Sequence, residues 1–279
     1  MKIRAGYEIS YDCPQPTPMI VTLSVHPSRI SDLLGPDRVR FDPPLSANTY
    51  HDSFGNFCHV IRAPAGRLTM STDFLVQDSG EPDVIAPQAK QHDLQDLPVD
   101  VLIFLLGSRY CETDRLSNIA WSLFGQVPKG WPLVKAICQF VHDRITFGYV
   151  HASPTRSAFD AYTERQGVCR DFAHLAVALC RCMNLPARYC TGYLGDIGVP
   201  PDGAPMDFSA WFEVYLGGRW YTFDARHNKP RIGRILMARG RDATDVALVT
   251  SFGPCTLTGF MVVTDEVRST APANEVSGR

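Results

Sequence analysis

Ser209-Ala210-Trp211-Phe212-Glu213-Val214-Tyr215-Leu216-Gly217-Gly218-Arg219-Trp220-Tyr221-Thr222-Phe223-Asp224 alternates side-chain character on both sides of a Gly-Gly pair. Alternation with a period of two marks a half-buried strand. Gly-Gly between two such runs marks a tight hairpin, because glycine takes the positive φ that two-residue turns demand. With Gly217-Gly218 as the loop, Leu216 faces Arg219 and the ladder sets Trp211 opposite Asp224. One face then carries Ala210, Phe212, Val214, Leu216, Tyr221, Phe223 and Ala225 and belongs in a core. The other carries Ser209, Trp211, Glu213, Tyr215, Trp220, Thr222 and Asp224. On that face Ser209 and Asp224 are diagonal neighbours, about 7–8 Å apart at the backbone.

Upstream of the hairpin, Phe172, Leu175, Ala176, Leu179 and Met183 recur at helical spacing. The helix begins at Gly167-Val168-Cys169-Arg170-Asp171. A cysteine in the first turn feels the positive end of the helix dipole, and Arg170 adds to it. Both favour thiolate, the form that attacks an acyl carbon. A free cysteine is more often a small buried hydrophobe, and Cys169 taken alone reads that way. The hairpin changes the balance. A cysteine nucleophile needs a base and a group that orients the base, and positions 209 and 224 have that geometry.

Two more helical stripes precede this one. Thr113 can cap a helix bearing Leu116, Ile119, Ala120 and Leu123, and Val134, Ile137, Cys138, Val141 and Ile145 form the next. Helices followed by antiparallel strands predict an α+β domain. The first ninety or so residues read instead as strands. Leu68, Met70, Phe74 and Val76 share one face, with similar runs at Ile3 to Tyr11 and Met19 to His26. Asp42-Pro43-Pro44 and Ser53-Phe54-Gly55-Asn56 punctuate them, as in an antiparallel sandwich. Glu81 to Pro98 is polar and carries Pro82, Pro87 and Pro98, a candidate linker. The expected organisation is an N-terminal β-sandwich over 1–95 and a catalytic-type core over 96–279.

The chain of 279 residues is 45% hydrophobic and 20% charged, with a formal net charge of −2. That is the balance of a soluble globular protein. It offers nothing to recruit nucleic acid or an anionic membrane. The longest apolar run, Val101 to Leu106, is too short to span a bilayer. No secretory signal is visible at the N-terminus, and the nine cysteines follow no framework spacing. They read as reduced thiols in a cytoplasm. No histidine or cysteine cluster has metal-ligand spacing, so neither metal nor other cofactor is expected.

Several stretches taken together resemble the bacterial transglutaminase-like superfamily. They are Gly167-Val168-Cys169-Arg170-Asp171-Phe172-Ala173-His174-Leu175, Leu185-Pro186-Ala187-Arg188-Tyr189, Gly192-Tyr193, Ala210-Trp211-Phe212-Glu213-Val214-Tyr215 and Trp220-Tyr221-Thr222-Phe223-Asp224. The similarity runs from about Leu133 to Asn228, and the sandwich resembles the N-terminal domain often attached to this core. The resemblance implies a papain-like fold with a Cys-His-Asp triad. It also implies acyl transfer at glutamine side chains, hydrolysis of peptide or amide bonds, or deglycosylation. By that resemblance Cys169 is the nucleophile and Asp224 the third triad member. The family's histidine precedes the Ala-Trp pair, and Ser209 stands there in this chain. A hydroxyl is no useful base at neutral pH, and losing general acid–base catalysis costs roughly 10²–10⁴-fold in rate.

Other histidines can be weighed as replacements. His174 lies about 140° around the helix from Cys169 and points elsewhere. His227 falls on the apolar face if the ladder continues, and swings back if the chain turns at Arg226. His151 sits in a loop before the cysteine helix. Trp211, Tyr215 and Trp220 are expected to form an aromatic wall for a peptide or acyl chain, unless they pack against the cysteine helix. Arg231, Arg234, Arg239 and Arg241 read as a solvated basic loop. Two functions stay open: a cysteine hydrolase or acyltransferase with a peptide or protein substrate, and a binding module that has kept the cleft without turnover. Redox sensing at Cys169 ranks behind them for want of a resolving thiol near it in the sequence.

Overall fold

The computed structural model describes residues 1–201, 203 and 205–267. The chain opens with the strands Lys2–Cys13 (β1), Thr17–Val21 (β2), Arg40–Asp42 (β3), Asn48–His51 (β4), Phe57–Ala63 (β5) and Gly66–Gln77 (β6). The middle holds the helices Thr113–Phe124 (α1) and Trp131–Arg144 (α2), the short strand Thr146–Phe147 (β7), Ala158–Glu164 (α3), Gln166–Gly167 (β8) and the helix Cys169–Cys182 (α4). Strands Ala187–Tyr193 (β9), Ser209–Leu216 (β10), Arg219–Phe223 (β11), Ile235–Gly240 (β12), Val249–Ser251 (β13) and Thr256–Glu266 (β14) complete it.

The sandwich has two four-stranded sheets, ordered β14-β1-β6-β3 and β13-β2-β5-β4. Its core forms as the alternation requires. Ile3, Ala5, Tyr7 and Ile9 of β1 and Leu68, Met70, Phe74 and Val76 of β6 point inward against Met19, Val21, Ile61 and Ala63. The expected extent of the second unit, 96–279, is corrected at its C-terminal end. β13 pairs with β2, and β14 pairs along β1 from Ile3 opposite Glu266 to Asp12 opposite Thr256. Without β14, the long strand β1 would present a full row of unpaired backbone groups. Tyr193, Ile197, Phe208, Ile235 and Met237 also enter the sandwich core, so the second unit completes that core while keeping its own around α4.

Glu81 to Pro98 is not a free linker. It straps the second unit, with backbone bonds between Asp83 and Arg231, between Trp131 and Ala89, and between Gly217 and Lys90. Short 3-10 helices at Leu94–Asp96 and Val99–Leu105 continue the strap.

In the second unit α4 runs through the centre, and every side chain from Asp171 to Cys182 is buried. A helix buried on all sides cannot be read from one apolar stripe. Here its polar members are satisfied individually. Arg181, for example, donates to the carbonyls of Leu106, Ala187 and Arg241. α4 lies on the antiparallel sheet β11-β10-β9-β12. The hairpin has the register read from its sequence, Leu216 opposite Arg219 and Phe212 opposite Phe223. Gly217 and Gly218 both have positive φ, 54° and 86°, as a type I′ turn requires.

Gly192 of β9 sits opposite Ser209, beside an irregularity in β12 between Leu236 and Ala238. A Cβ at 192 would lie 2.1 Å from the carbonyl oxygen of Ile235 and 3.0 Å from the Trp211 ring. Backbone cannot yield as a flexible side chain can. Gly192→Ala should therefore destabilise the protein by about 1–3 kcal/mol, read as a lower urea midpoint. An unchanged midpoint would refute the close packing described.

Candidate active site

Local chemistry sets the start of α4. The Asp171 carboxylate folds back to accept the backbone N–H of Val168 at 2.8 Å, satisfying a donor the helix leaves unpaired. Arg156 reaches the same carboxylate and Glu164. The fold-back needs Gly167, because a Cβ there would lie 2.5 Å from Asp171 Oδ2. This turn delivers Cys169 to the edge of the sheet. Its thiol packs with Ala173, Tyr189 and Ala210.

The expected resting thiolate is corrected by this environment. Burial pushes the Cys169 thiol up to about 11, and the charges of Asp207 and Asp224 push the same way. Arg226 and the Ala210 N–H oppose the shift without cancelling it. Arg170, expected to help, turns instead to the Ser153 carbonyl and stacks over Tyr110.

Asp224 follows β11 and is fully buried. Arg234 donates to its Oδ2 at 2.9 Å, and the His227 backbone N–H donates to Oδ1 at 3.0 Å. Asn228 closes the turn by donating to the Asp224 carbonyl at 2.8 Å. The chain thus leaves the ladder after Phe223, and His227 swings back rather than continuing onto the apolar face. Its Nδ1 lies 2.8 Å from Asp224 Oδ2. Burial alone would raise the Asp224 carboxyl, but Arg234 and His227 outweigh it and hold it well below the usual range. An ionised carboxylate only accepts, so Nδ1 carries the hydrogen of this contact.

Ser209 lies where the register placed it. Its Oγ is buried and has no hydrogen-bond partner among the described residues. Ser209, Asp207, Arg226, His227 and Tyr149 line one small pocket of about 50 Å³. Asp224 and His227 thus meet just after β11, Ser209 lines the same pocket as His227, and Cys169 lies against Ala210, the residue that follows Ser209 on β10.

The aromatic wall does not form there. α4 covers the Ala210, Phe212 and Val214 face, whereas Trp211, Glu213 and Tyr215 point to the opposite side. Trp211 is buried with Cys190 and Leu236 and lines a cleft of about 460 Å³ facing the sandwich. Tyr215 and Trp220 are covered by Leu97, Val101 and Leu105 of the strap, about 17 Å along the strand from Ala210. These three aromatics neither line the thiol nor pack on its helix. His174 is also structural. It is buried between Tyr110 and Tyr189, accepts the Ala243 N–H, and is held down to about 3 by burial. Arg231 and Arg234, expected in a solvated loop, are buried: the Arg231 guanidinium donates to the Gly195 carbonyl and that of Arg234 to Asp83 and Asp224. Sequence reasoning missed Arg234 as a partner of Asp224, since nothing in the local pattern joins residues ten apart across a turn. Among the described residues no group of three His, Cys, Asp or Glu could hold a metal ion.

The depressed Asp224 carboxyl makes stability pH-dependent in one direction. Its contribution is complete above the unfolded value of about 3.9 and is lost as pH falls towards the folded value. Asp224→Asn leaves Arg234 partly unpaired and should cost about 3–5 kcal/mol at neutral pH. Urea unfolding should then show a shallower loss of stability below about pH 4 in the variant than in the wild type. Equal acid slopes would contradict the assignment.

The sequence profile of the transglutaminase-like superfamily matches residues 125–225, the stretch that holds Cys169, Ser209 and Asp224. An uncharacterised protein of Mycobacterium tuberculosis is 31% identical over 237 residues, spanning 75% of this chain and 73% of that protein. An uncharacterised protein of Mycobacterium leprae is 36% identical over 97 residues, a third (33%) of each chain. The crystal structure of a candidate cysteine protease from Cytophaga hutchinsonii superposes with a TM-score of 0.83 at 30% identity, covering 96% of this chain and 91% of that one. With a papain-like core behind a β-sandwich and relatives matched along most of its length, this chain belongs to the transglutaminase-like superfamily.

Proposed function

We propose that the protein is a cysteine-dependent hydrolase or acyltransferase acting on a peptide or amide carbonyl. Cys169 is the nucleophile, and His227, oriented by Asp224, is the base in place of a histidine at 209. The observation that carries this reading is the 2.8 Å contact between His227 Nδ1 and Asp224 Oδ2, with the ring in the pocket that Ser209 lines.

A base is needed because a thiol near 11 is only about 10⁻⁴ thiolate at pH 7. His227 Nε2 takes the thiol proton as sulfur attacks the carbonyl carbon. It returns that proton to the departing amine, leaving a thioester on Cys169. Water or an acceptor amine then attacks the thioester, gives its proton to Nε2, and the thiol is restored. Asp224 fixes the tautomer and stabilises the imidazolium, as the acid of a triad does.

A second reading has its own support. The raised thiol and the hydroxyl at 209 also suit a binding module that has lost turnover. Reaction with p-nitrophenyl acetate, followed by intact-mass spectrometry, separates the two. The enzyme reading expects one acetyl group on Cys169, none in Cys169→Ala, and a rate lower by roughly 10²–10⁴-fold in His227→Gln at an unchanged thermal midpoint. Equal rates in wild type and His227→Gln would remove His227 from the mechanism. No acylation of the wild type, with acylation gained in Ser209→His, would establish the binding-module reading.

A further inference from the structure

A second pair of thiols lies far from Cys169, in the sandwich. Cys13 is the last residue of β1, and Cys255 immediately precedes β14. The ladder between these strands pairs Tyr11 with Leu257 and Asp12 with Thr256, so its next step sets Cys13 opposite Cys255. Their sulfur atoms are 2.8 Å apart, although the residues are separated by 242 positions. By contrast, Cys58, Cys111 and Cys182 direct their thiols at oxygen acceptors. Directly opposed residues of antiparallel strands have Cα atoms about 4.5–5.5 Å apart, inside the span of about 4.4–6.8 Å that a disulfide bridges. No backbone movement is needed to join them.

We propose that Cys13 and Cys255 form a reversible disulfide that locks the last strand onto the first. The two sulfurs have unequal roles. Cys13 is buried, whereas Cys255 is partly exposed. Cys255 therefore attacks a low-molecular-weight disulfide, RSSR. A bond forms between its sulfur and one RS group, and the other leaves as thiolate and takes up a proton. Cys13 then gives up its proton and attacks the Cys255 sulfur, releasing the second RS group. Two protein thiols are oxidised and one RSSR is reduced to two RSH. Burial raises the Cys13 thiol, so the second step, which needs its thiolate, quickens with rising pH.

The bond would act at one edge of the sandwich. β14 is the edge of its sheet, and it carries exposed Leu257, Phe260 and Met261. Tying it to β1 closes nearly the whole chain into one ring and suppresses opening of that edge.

The test uses the full chain equilibrated in oxidised and reduced glutathione, then alkylated, digested without reductant and analysed by mass spectrometry. A linked peptide pair containing Cys13 and Cys255 is expected, with a thermal midpoint raised by roughly 5–10 °C over the reduced protein. The rise should persist in Cys169→Ala, which separates it from chemistry at the candidate nucleophile, and vanish in Cys255→Ser. Oxidation that stops at glutathione attached to Cys255, or Cys13 that remains fully alkylated after oxidation, would overturn the proposal.

Discussion

A carboxylate buried at the end of β11 is the constraint around which this site is organised. A charge removed from water is tolerated only with partners that restore its solvation. Asp224 has two, Arg234 and His227, and each brings another part of the fold with it. Arg234 is itself buried and is shared with Asp83 of the strap. Asp83 in turn accepts the Arg231 backbone N–H. The polar segment between the two units is thus tied to the site through Arg234, which Asp83 and Asp224 share.

The sheet has two faces with different tasks, and the alternation of β10 divides its residues between them. Ala210, Phe212 and Val214 receive α4 and its cysteine, while Trp211, Glu213 and Tyr215 meet the strap and the sandwich side. The aromatic residues therefore join the units rather than grip a substrate. Arg188 illustrates the same division: it pairs with Glu213 at 2.6 Å and lies 4.0 Å over the Trp220 ring.

What could be read from the sequence was local. The Gly-Gly turn, the hairpin register and the helix starting at Cys169 depend on residues within a few positions of one another, and all three are present. The fold class followed from them together with the family motifs. What escaped depended on distant partners. The thiol was read from its helix dipole and Arg170, whereas packing against β10 works in the opposite direction. Arg234 looked solvated because its acceptors, Asp83 and Asp224, are remote or hidden by a turn. β14 escaped because its pairing with β1 joins opposite ends of the chain.

The turn after Asp224 bears on how a cysteine site can work without a histidine at 209. A base on β10 would be placed by the sheet and would need its orienting carboxylate brought to it from another strand. His227 is three residues from Asp224, and the same carboxylate accepts both its backbone N–H and its ring N–H. His227 and Asp224 then form one local unit whose geometry is set by the turn and by Asn228 closing it. Such a unit keeps its tautomer regardless of what occupies position 209. Ser209, with its unpartnered hydroxyl beside the ring's pocket, leaves the smaller side chain where a second imidazole would compete for the same carboxylate. On this argument the serine and the 224–228 turn belong to one arrangement: the small residue leaves Asp224 to the histidine that the turn supplies.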